Sequence, residues 1–459
     1  MRVFFFKARA VTGFIRYIII ITLALMPAFS ANAEDLLEVY HQALATNPAI
    51  ARALALADSN RASHNIAKSA LMPRINASAS AALEYKHISG FGDDFKSITL
   101  PGGGFGDIND TYYGKRYSVT LTQPLLNGRA WSDLKAANAR IRAAQAAVTT
   151  AEQGLAMGVI NGYFKVLKAM AGERVARGRK KLFKEILDQA QARLKAGVGD
   201  RVAISEARAA YDASASTLIN AENNVSIAMH GLCRLAHANL GKLKDVYNVK
   251  PLGPEPDEIG PWKNSALENQ PLLIRAAQDL KTARYQVEAA RRARWPYLGI
   301  DAGYAYDVGS FLPSTKTVGP HAGLVFSLPI YEGGGIGAGI EQARARENAE
   351  KYRVAELKDQ VIVNVETAFL NLKTSAALLF AADQSLKSAK TALAATRKGY
   401  QVGSRSIIDL LSSAQDYETA EDDYSRTVYS HLTARAALKA AAGVISEADV
   451  KALNSEVSP

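Results

Sequence analysis

The stretch Leu298-Gly-Ile-Asp-Ala-Gly-Tyr-Ala-Tyr-Asp307 decides how this chain is built. Leu298, Ile300, Ala302, Tyr304 and Tyr306 alternate with Gly299, Asp301, Gly303, Ala305 and Asp307. A period of two with one apolar face and one small or polar face is the pattern of a β-strand. Beyond it, Ala322, Leu324, Phe326 and Leu328 face opposite to Gly323, Val325 and Ser327, which predicts a second strand. Ahead of it, Ser265 to Arg294 is Ala-rich with charges spread along its length, and Pro296 follows: a helix with a stop signal.

The same succession stands earlier in the chain. Leu36 to Ser69 reads as a helix stopped before Pro73. Ile75, Ala77, Ala79, Ala81, Leu83 and Tyr85 then alternate with Asn76, Ser78, Ser80, Ala82, Glu84 and Lys86, and Tyr117, Val119 and Leu121 alternate with Arg116, Ser118, Thr120 and Thr122. The chain therefore reads twice. Asn47-Pro48 recurs as Gln270-Pro271 and Met72-Pro73 as Trp295-Pro296, each 223 positions on. Gln123-Pro124-Leu-Leu-Asn-Gly128 recurs as Leu328-Pro329-Ile-Tyr-Glu-Gly333, 205 positions on, and Gly197 recurs as Gly403, 206 on. The single step in offset falls where the first copy alone holds Gly90, Gly92, Gly102, Gly103, Gly104 and Gly106, which predicts a longer loop there. Prolines 251, 254, 256 and 261 mark a stiff join between the copies. The expected layout is a leader at 1–33, a first repeat at 34–243, a Pro-rich linker at 244–264, a second repeat at 265–443 and a tail at 444–459.

A proline-free helical run follows each strand pair. Trp131 to about Lys195 is roughly 100 Å long at about 1.5 Å per residue. Leu155, Val159, Tyr163, Val166 and Met170 are spaced by four, four, three and four residues, which is coiled-coil spacing. Ile340 to about Gln401 repeats the pattern with Val361, Val365, Phe369, Leu372 and Leu379. Gly197, Gly199 and Gly403 supply the turns from which second helices return. Helices this long, studded with Lys, Arg and Glu, stand in water. The strands can do otherwise: roughly 9–11 tilted residues cross an outer membrane, and Tyr85, Tyr117, Tyr304 and Tyr306 suit an aromatic girdle. Pro124, Gly128, Pro329 and Gly333 mark the strand–helix junctions.

Four strands cannot close a barrel, and an open sheet edge cannot face lipid. Two chains would give a filled eight-stranded barrel, whereas three give about twelve strands and a lumen. The small set Ser78, Ser80, Ser118, Thr120, Gly299 and Gly303 fits a lumen, so a trimer is expected. The predicted fold is an α+β membrane protein: a trimeric 12-stranded β-barrel, four strands per chain, continued by a long α-helical coiled-coil barrel, built from two tandem repeats.

Arg2, Lys7, Arg9 and Arg16 precede the apolar run Tyr17–Phe29 and the small-residue pattern Ala31-Asn32-Ala33, as in a secretory signal peptide. Removing the leader takes the formal charge from +11 to +7. The remaining charges are interspersed as solvated helix faces, and nucleic acid is not an expected partner. The single Cys233 offers no disulfide framework. Gly333-x-Gly335-x-x-Ala338 has the outline of a dinucleotide-binding turn, but its counterpart Asn127-Gly128-Arg129 lacks the glycines, and a flexible elbow accounts for them. With no metal-ligand pair and no nucleophile motif, neither a cofactor nor an enzymatic activity is expected.

Taken together, Asn47-Pro48, Gln123-Pro124-Leu-Leu-Asn-Gly128, Leu328-Pro329-Ile-Tyr-Glu-Gly-Gly334 and Gly399-Tyr400-Gln-Val-Gly403-Ser-Arg405-Ser-Ile-Ile-Asp409-Leu-Leu resemble the TolC-like outer-membrane efflux and secretion channels, over essentially the whole chain after the leader. The resemblance implies a homotrimer set in outer-membrane lipid, a periplasmic helical barrel whose tip opens like an iris, and two partners, a periplasmic adaptor (membrane fusion) protein and an inner-membrane ABC or RND transporter. It implies a periplasmic gate in which Tyr400, Arg405 and Asp409 match the family's Tyr, Arg and Asp. Arg405 and Asp409 are also expected four apart on one helix start. Two departures stand out: the family's second carboxylate is Ser412 here, and the first-copy Asp is Ala203, with Asp200 and Glu206 nearby as substitute carboxylates; the implied gate is weaker, less cation-selective, or wired through Asp200 and Arg201. The expected function is an export duct for type I protein secretion or multidrug efflux. The alternative is a non-conducting coiled-coil adhesin or scaffold anchored by the same strands.

Overall fold

The computed structural model describes residues 34–88, 108–246, 249–308 and 316–456. The predicted leader and the glycine-rich loop with Gly90, Gly92 and Gly102–Gly106 lie outside the described residues.

The expected first helix is broken in two. Helix α1 (Leu36–Thr46) opens with a capping box, Asp35 accepting from the Glu38 N–H at 2.9 Å while Glu38 accepts from the Asp35 N–H at 3.0 Å. It buries Leu36, Val39, Tyr40 and Ala43, one apolar stripe. Asn47 then leaves helical geometry, as a residue before proline does, and its side chain accepts from the Ala49 N–H to cap α2 (Pro48–Ser69). In the second copy α5 (Ile259–Asn269) and α6 (Pro271–Arg292) repeat this break at Gln270-Pro271. Asn47 also donates to the Leu235 carbonyl at 3.1 Å, and Gln270 to the Ala441 carbonyl at 3.1 Å. Each copy thus ties its break to the far end of its own returning helix.

The strands are β1 (Arg74–Ile88), β2 (Ile108–Leu126), β3 (Tyr297–Val308) and β4 (Lys316–Ser327). They form one antiparallel sheet in the order β1-β2-β3-β4. Strands β2 and β4 begin earlier than the alternating residues quoted above. Helix α3 (Gly128–Lys195) leads from the sheet to the first tip turn and α4 (Arg201–Ala236) returns; α7 (Gly335–Gln401) and α8 (Ile407–Ala441) do the same in the second copy. At 68 and 67 residues, α3 and α7 are each about 100 Å long. Among the described residues no helix is long and apolar enough to cross a membrane.

The main core lies midway along α3. Leu155, Val159, Tyr163 and Val166 are buried at the predicted spacing, joined by Phe164, Leu167, Leu232 and Leu432. Tyr163 donates its hydroxyl to the Lys244 carbonyl at 2.8 Å, which satisfies the one polar atom of a fully buried ring. The tail is folded against this core: α9 (Glu447–Asn454) buries Val450 and Leu453, and Asn454 accepts from the Leu37 N–H. A second cluster sits at the tip, where Phe183, Ile186, Leu187 and Ala207 of the first hairpin meet Tyr400, Ile407, Leu410 and Ala414 of the second.

Candidate functional site

Strand register sorts the sheet into two faces. Across one run the rows Ala77–Val119–Tyr304–Pro320, Ile75–Leu121–Ala302–Ala322 and Ala79–Tyr117–Tyr306–Val318. Tyr117, Val119, Tyr304 and Leu324 on this face are about half exposed or more. Across the other run Asn76–Thr120–Gly303–His321 and Ser80–Arg116–Asp307–Thr317. The second face is internally bonded. The Ser78 and Ser118 hydroxyls meet at 2.8 Å, Arg116 Nε donates to both Asp307 carboxylate oxygens at 2.8 and 3.0 Å, and His321 Nε2 lies 3.1 Å from Asp301 Oδ1. Gly303 is bare because His321 lies across it: a Cβ there would stand 2.6 Å from His321 Cε1 and 2.9 Å from the Val119 carbonyl oxygen. An apolar outer face and a bonded polar inner face are what a lipid-embedded barrel with a wet lumen requires.

Each predicted junction residue sits where a strand becomes a helix. Pro124 lies at a register shift in the β2–β3 pairing, and Gly128 begins α3. A Cβ on Gly128 would come 2.9 Å from the ring of Trp295, so the elbow packs against the segment that leads into β3. Pro329 lies two residues past the end of β4, and Gly333, with φ +58°, makes the turn that Gly334 carries into α7.

At the far end, Gly197 and Gly403 take φ of +76° and +80°, the left-handed conformation that closes each helix. Gly199 packs so closely that a Cβ would stand 2.5 Å from the Leu194 nitrogen. Asp200 caps α4 by accepting from the Val202 N–H at 3.2 Å, and Arg201 is the exposed first residue of that helix. Tyr400 is buried at 6% exposure. Asp200, Ala203, Glu206 and Tyr400 line one cavity of about 290 Å³, so the position vacant of the family's carboxylate opens beside the tyrosine.

Arg405 and Asp409 do not share a helix start as expected. Ser406 is the N-cap of α8, which places Arg405 one residue outside it. Asp409 completes a capping box, accepting from the Ser406 N–H at 2.9 Å while its own N–H donates to the Ser406 hydroxyl at 3.1 Å. Hydrogen bonding to the carboxyl from the Ser406 backbone first and the Ser406 side chain second, with the Arg405 charge adding to it, holds the carboxyl below its ordinary range.

The two hairpins are joined by contacts that spacing did not single out. Arg193 of α3 donates to the Tyr400 carbonyl at 2.8 Å and the Gln401 carbonyl at 3.3 Å, with its guanidinium 5.0 Å from the Tyr400 ring centre. Arg397 of α7 meets Glu185 of α3 at 3.0 Å. Higher up, Arg179 of α3 pairs with Glu418 of α8, whose carboxyl burial pushes up to about 7. The only sequence signal for these was an arginine close to a tip glycine.

A two-faced sheet carried on charged helices of this length defines an outer-membrane channel with a periplasmic extension. The sequence pattern of the family described as "Outer membrane efflux protein" matches residues 39–236 and 262–444. The chain is 28% identical over 445 residues to Outer membrane protein TolC of Escherichia coli K12, covering 93% of this chain and 86% of that one. It is 28% identical over 431 residues to Alkaline protease secretion protein AprF of Pseudomonas aeruginosa, covering 92% and 87%. Among solved structures, the Campylobacter jejuni CmeC outer membrane channel superposes with a TM-score of 0.77 at 19% identity, covering 93% and 90%, and CusC with 0.76 at 18%. The chain belongs to the outer membrane efflux protein family. It is an export channel whose strands lie in the outer membrane and whose helices extend into the periplasm. Members of the family are channels rather than enzymes.

Proposed function

We propose that three copies of this chain close one 12-stranded barrel and form the outer-membrane duct of a tripartite exporter, for type I protein secretion or for multidrug efflux. One observation carries this: the sheet leaves β1 and β4 as edges while its faces are already sorted into apolar and polar. In lipid such edges must pair, and a neighbouring copy offers the complementary edge. AprF is named for alkaline protease secretion and OpmQ of the same organism for pyoverdine export, so relatives' names support both a protein and a small-molecule cargo. The partners this reading calls for are a periplasmic adaptor and an inner-membrane ABC or RND transporter.

The gate in this reading is the tip. Tyr400, Arg405, Asp409 and Arg201, with Asp200 supplying the carboxylate absent at Ala203, set its resting width, and Gly197, Gly199 and Gly403 let the hairpins turn there. Pro124, Gly128, Pro329 and Gly333 are the elbows between barrel and helices. The repeats at 34–243 and 265–443 are its structural units, joined by the linker at 244–264, into which the second copy extends by starting α5 at Ile259.

The non-conducting adhesin is the rival. It gives no reason for the Arg116–Asp307 and His321–Asp301 pairs on the face opposite the apolar one. Single-channel recording of the purified protein in a planar bilayer tests the reading. Stepwise conductance is expected, and membrane insertion without conductance would sink it.

A further inference from the structure

The two tip turns differ by a reciprocal exchange. With Gly197 laid on Gly403, Arg193 of the first copy corresponds to Gly399 of the second, and Gly199 to Arg405. Each hairpin therefore carries one arginine and one glycine at these two positions, in opposite order. The glycines are packed. At Gly399 a Cβ would stand 2.7 Å from Arg405 Cγ, so the second hairpin folds its own arginine back over its own turn. At Gly199 the α3 backbone occupies the space.

The first hairpin's arginine goes the other way. Arg193 leaves the last turn of α3 and reaches the last turn of α7, where it adds a donor to the Tyr400 carbonyl, which also accepts from the Gly403 N–H at 3.2 Å, and reaches the Gln401 carbonyl beside it. A guanidinium is suited to this place. Its charge opposes the negative end of the helix dipole, its Nη1 donates to both carbonyls, and its Cζ lies over the Tyr400 ring. Asp409 is meanwhile engaged in capping its own helix.

We infer that Arg193 is the positioning residue of the tip: by clasping the C-terminal end of α7 it holds the second hairpin against the first and sets the closed position. The inference rests on the tip being the gate. Within one protomer, the clasp does the work that a carboxylate at position 203 would share if Ala203 were Asp. Opening then requires Arg193 to release two carbonyls and a ring together, while Arg405 stays folded over Gly399 in its own turn.

The test is planar-bilayer recording on the purified full-length oligomer and its variants. Arg193→Ala is expected to raise the resting conductance roughly tenfold, the size of one lost charge-assisted contact in a two-state equilibrium. Arg193→Lys keeps the charge and the stem but loses the planar guanidinium over the Tyr400 ring, so an intermediate rise is expected. It also serves where the alanine variant does not fold. Tyr400→Ala should open the channel as Arg193→Ala does. A rise in Tyr400→Ala with wild-type current in both Arg193 variants would overturn the clasp and leave the gate standing. Wild-type current in Tyr400→Ala and both Arg193 variants would overturn the gate assignment and the clasp with it. Absence of conductance in every form would overturn the channel reading itself.

Discussion

Arg179 reaches from α3 to Glu418 on α8, and the carboxylate it meets is only 2% exposed. The pair joins the two hairpins of a protomer about 20 Å or more above the tip, by the rise of about 1.5 Å per residue along α3. Its environment is contradictory. Desolvation raises the Glu418 carboxyl to about 7 although the guanidinium beside it favours ionisation, and Glu421 adds a smaller upward push.

Stability should therefore depend on pH through Glu418. Its folded value lies above the ordinary 4.5, so the folded protein holds this proton after the unfolded chain has released it. The contribution is complete at or below about pH 4.5, falls as pH rises towards about 7, and reaches a loss of up to about 3 kcal/mol above that. Glu418→Gln should flatten this slope in thermal melts between about pH 5 and 8. Parallel melting curves for the two proteins would contradict the assignment. Arg179→Ala leaves the buried carboxylate unpaired and should cost roughly 3–5 kcal/mol at alkaline pH, and less in acid.

The start of α8 should loosen in acid. Asp409 has a lowered value, so its stabilising bonds to Ser406 are present above the ordinary carboxylate range and are lost as pH falls through that lowered value. Ser406→Ala removes the N-cap and should cost about 1 kcal/mol. Hydrogen exchange at residues 407–410, corrected for intrinsic pH dependence, should quicken in Ser406→Ala and Asp409→Ala. Unchanged protection there would mean that the capping box does not hold this turn.

Neighbouring residues of β2 should respond in opposite ways to one substitution. Val119 lies between Ala77 and Tyr304 on the apolar face, and Thr120 between Asn76 and Gly303 on the polar face. Val119→Arg places a charge in lipid at a cost of roughly 2–4 kcal/mol near the bilayer middle, whereas Thr120→Arg faces water. Denaturant unfolding from bilayers should show the first loss without the second. Equal losses would reverse the sidedness argued above.

Gly303 should not tolerate a side chain. The Cβ of alanine there already forces His321 away from Asp301 and presses on the Val119 carbonyl of the adjoining strand, and the two methyls of valine add to both. Strand displacement of this kind costs about 1–3 kcal/mol. Barrel heat-modifiability on gels should fall from wild type to alanine to valine at this position.

Much of the architecture was legible in the residue order. Strands announce themselves by a period of two, and Tyr304 and Val119 lie on the face that alternation assigned them. Duplication located both tip turns, and Gly197 and Gly403 have the left-handed backbone their place required. Helix ends were less legible. Asn47-Pro48 was visible as a repeated pair, yet the break it makes in the first helix came from a cap that competes with helical continuity. Arg405 and Asp409 look like one helical pair by number, but Ser406 starts the helix between them.

By itself the sequence determined the two-fold succession of helix, strand pair and long hairpin, because each depends on periodicity and stop signals within a few residues. Only the tertiary structure decided what joins the hairpins. Arg193, Glu185 and Arg179 are ordinary charges on a charged helix until α7 and α8 are laid against it. Then the Tyr400 carbonyl, Arg397 and Glu418, more than two hundred positions away along the chain, become their partners. Burial likewise belongs to the assembled hairpins. Glu418 is one of many helix-face acids in the sequence, and the packing of α8 on α3 is what removes it from water and raises its carboxyl.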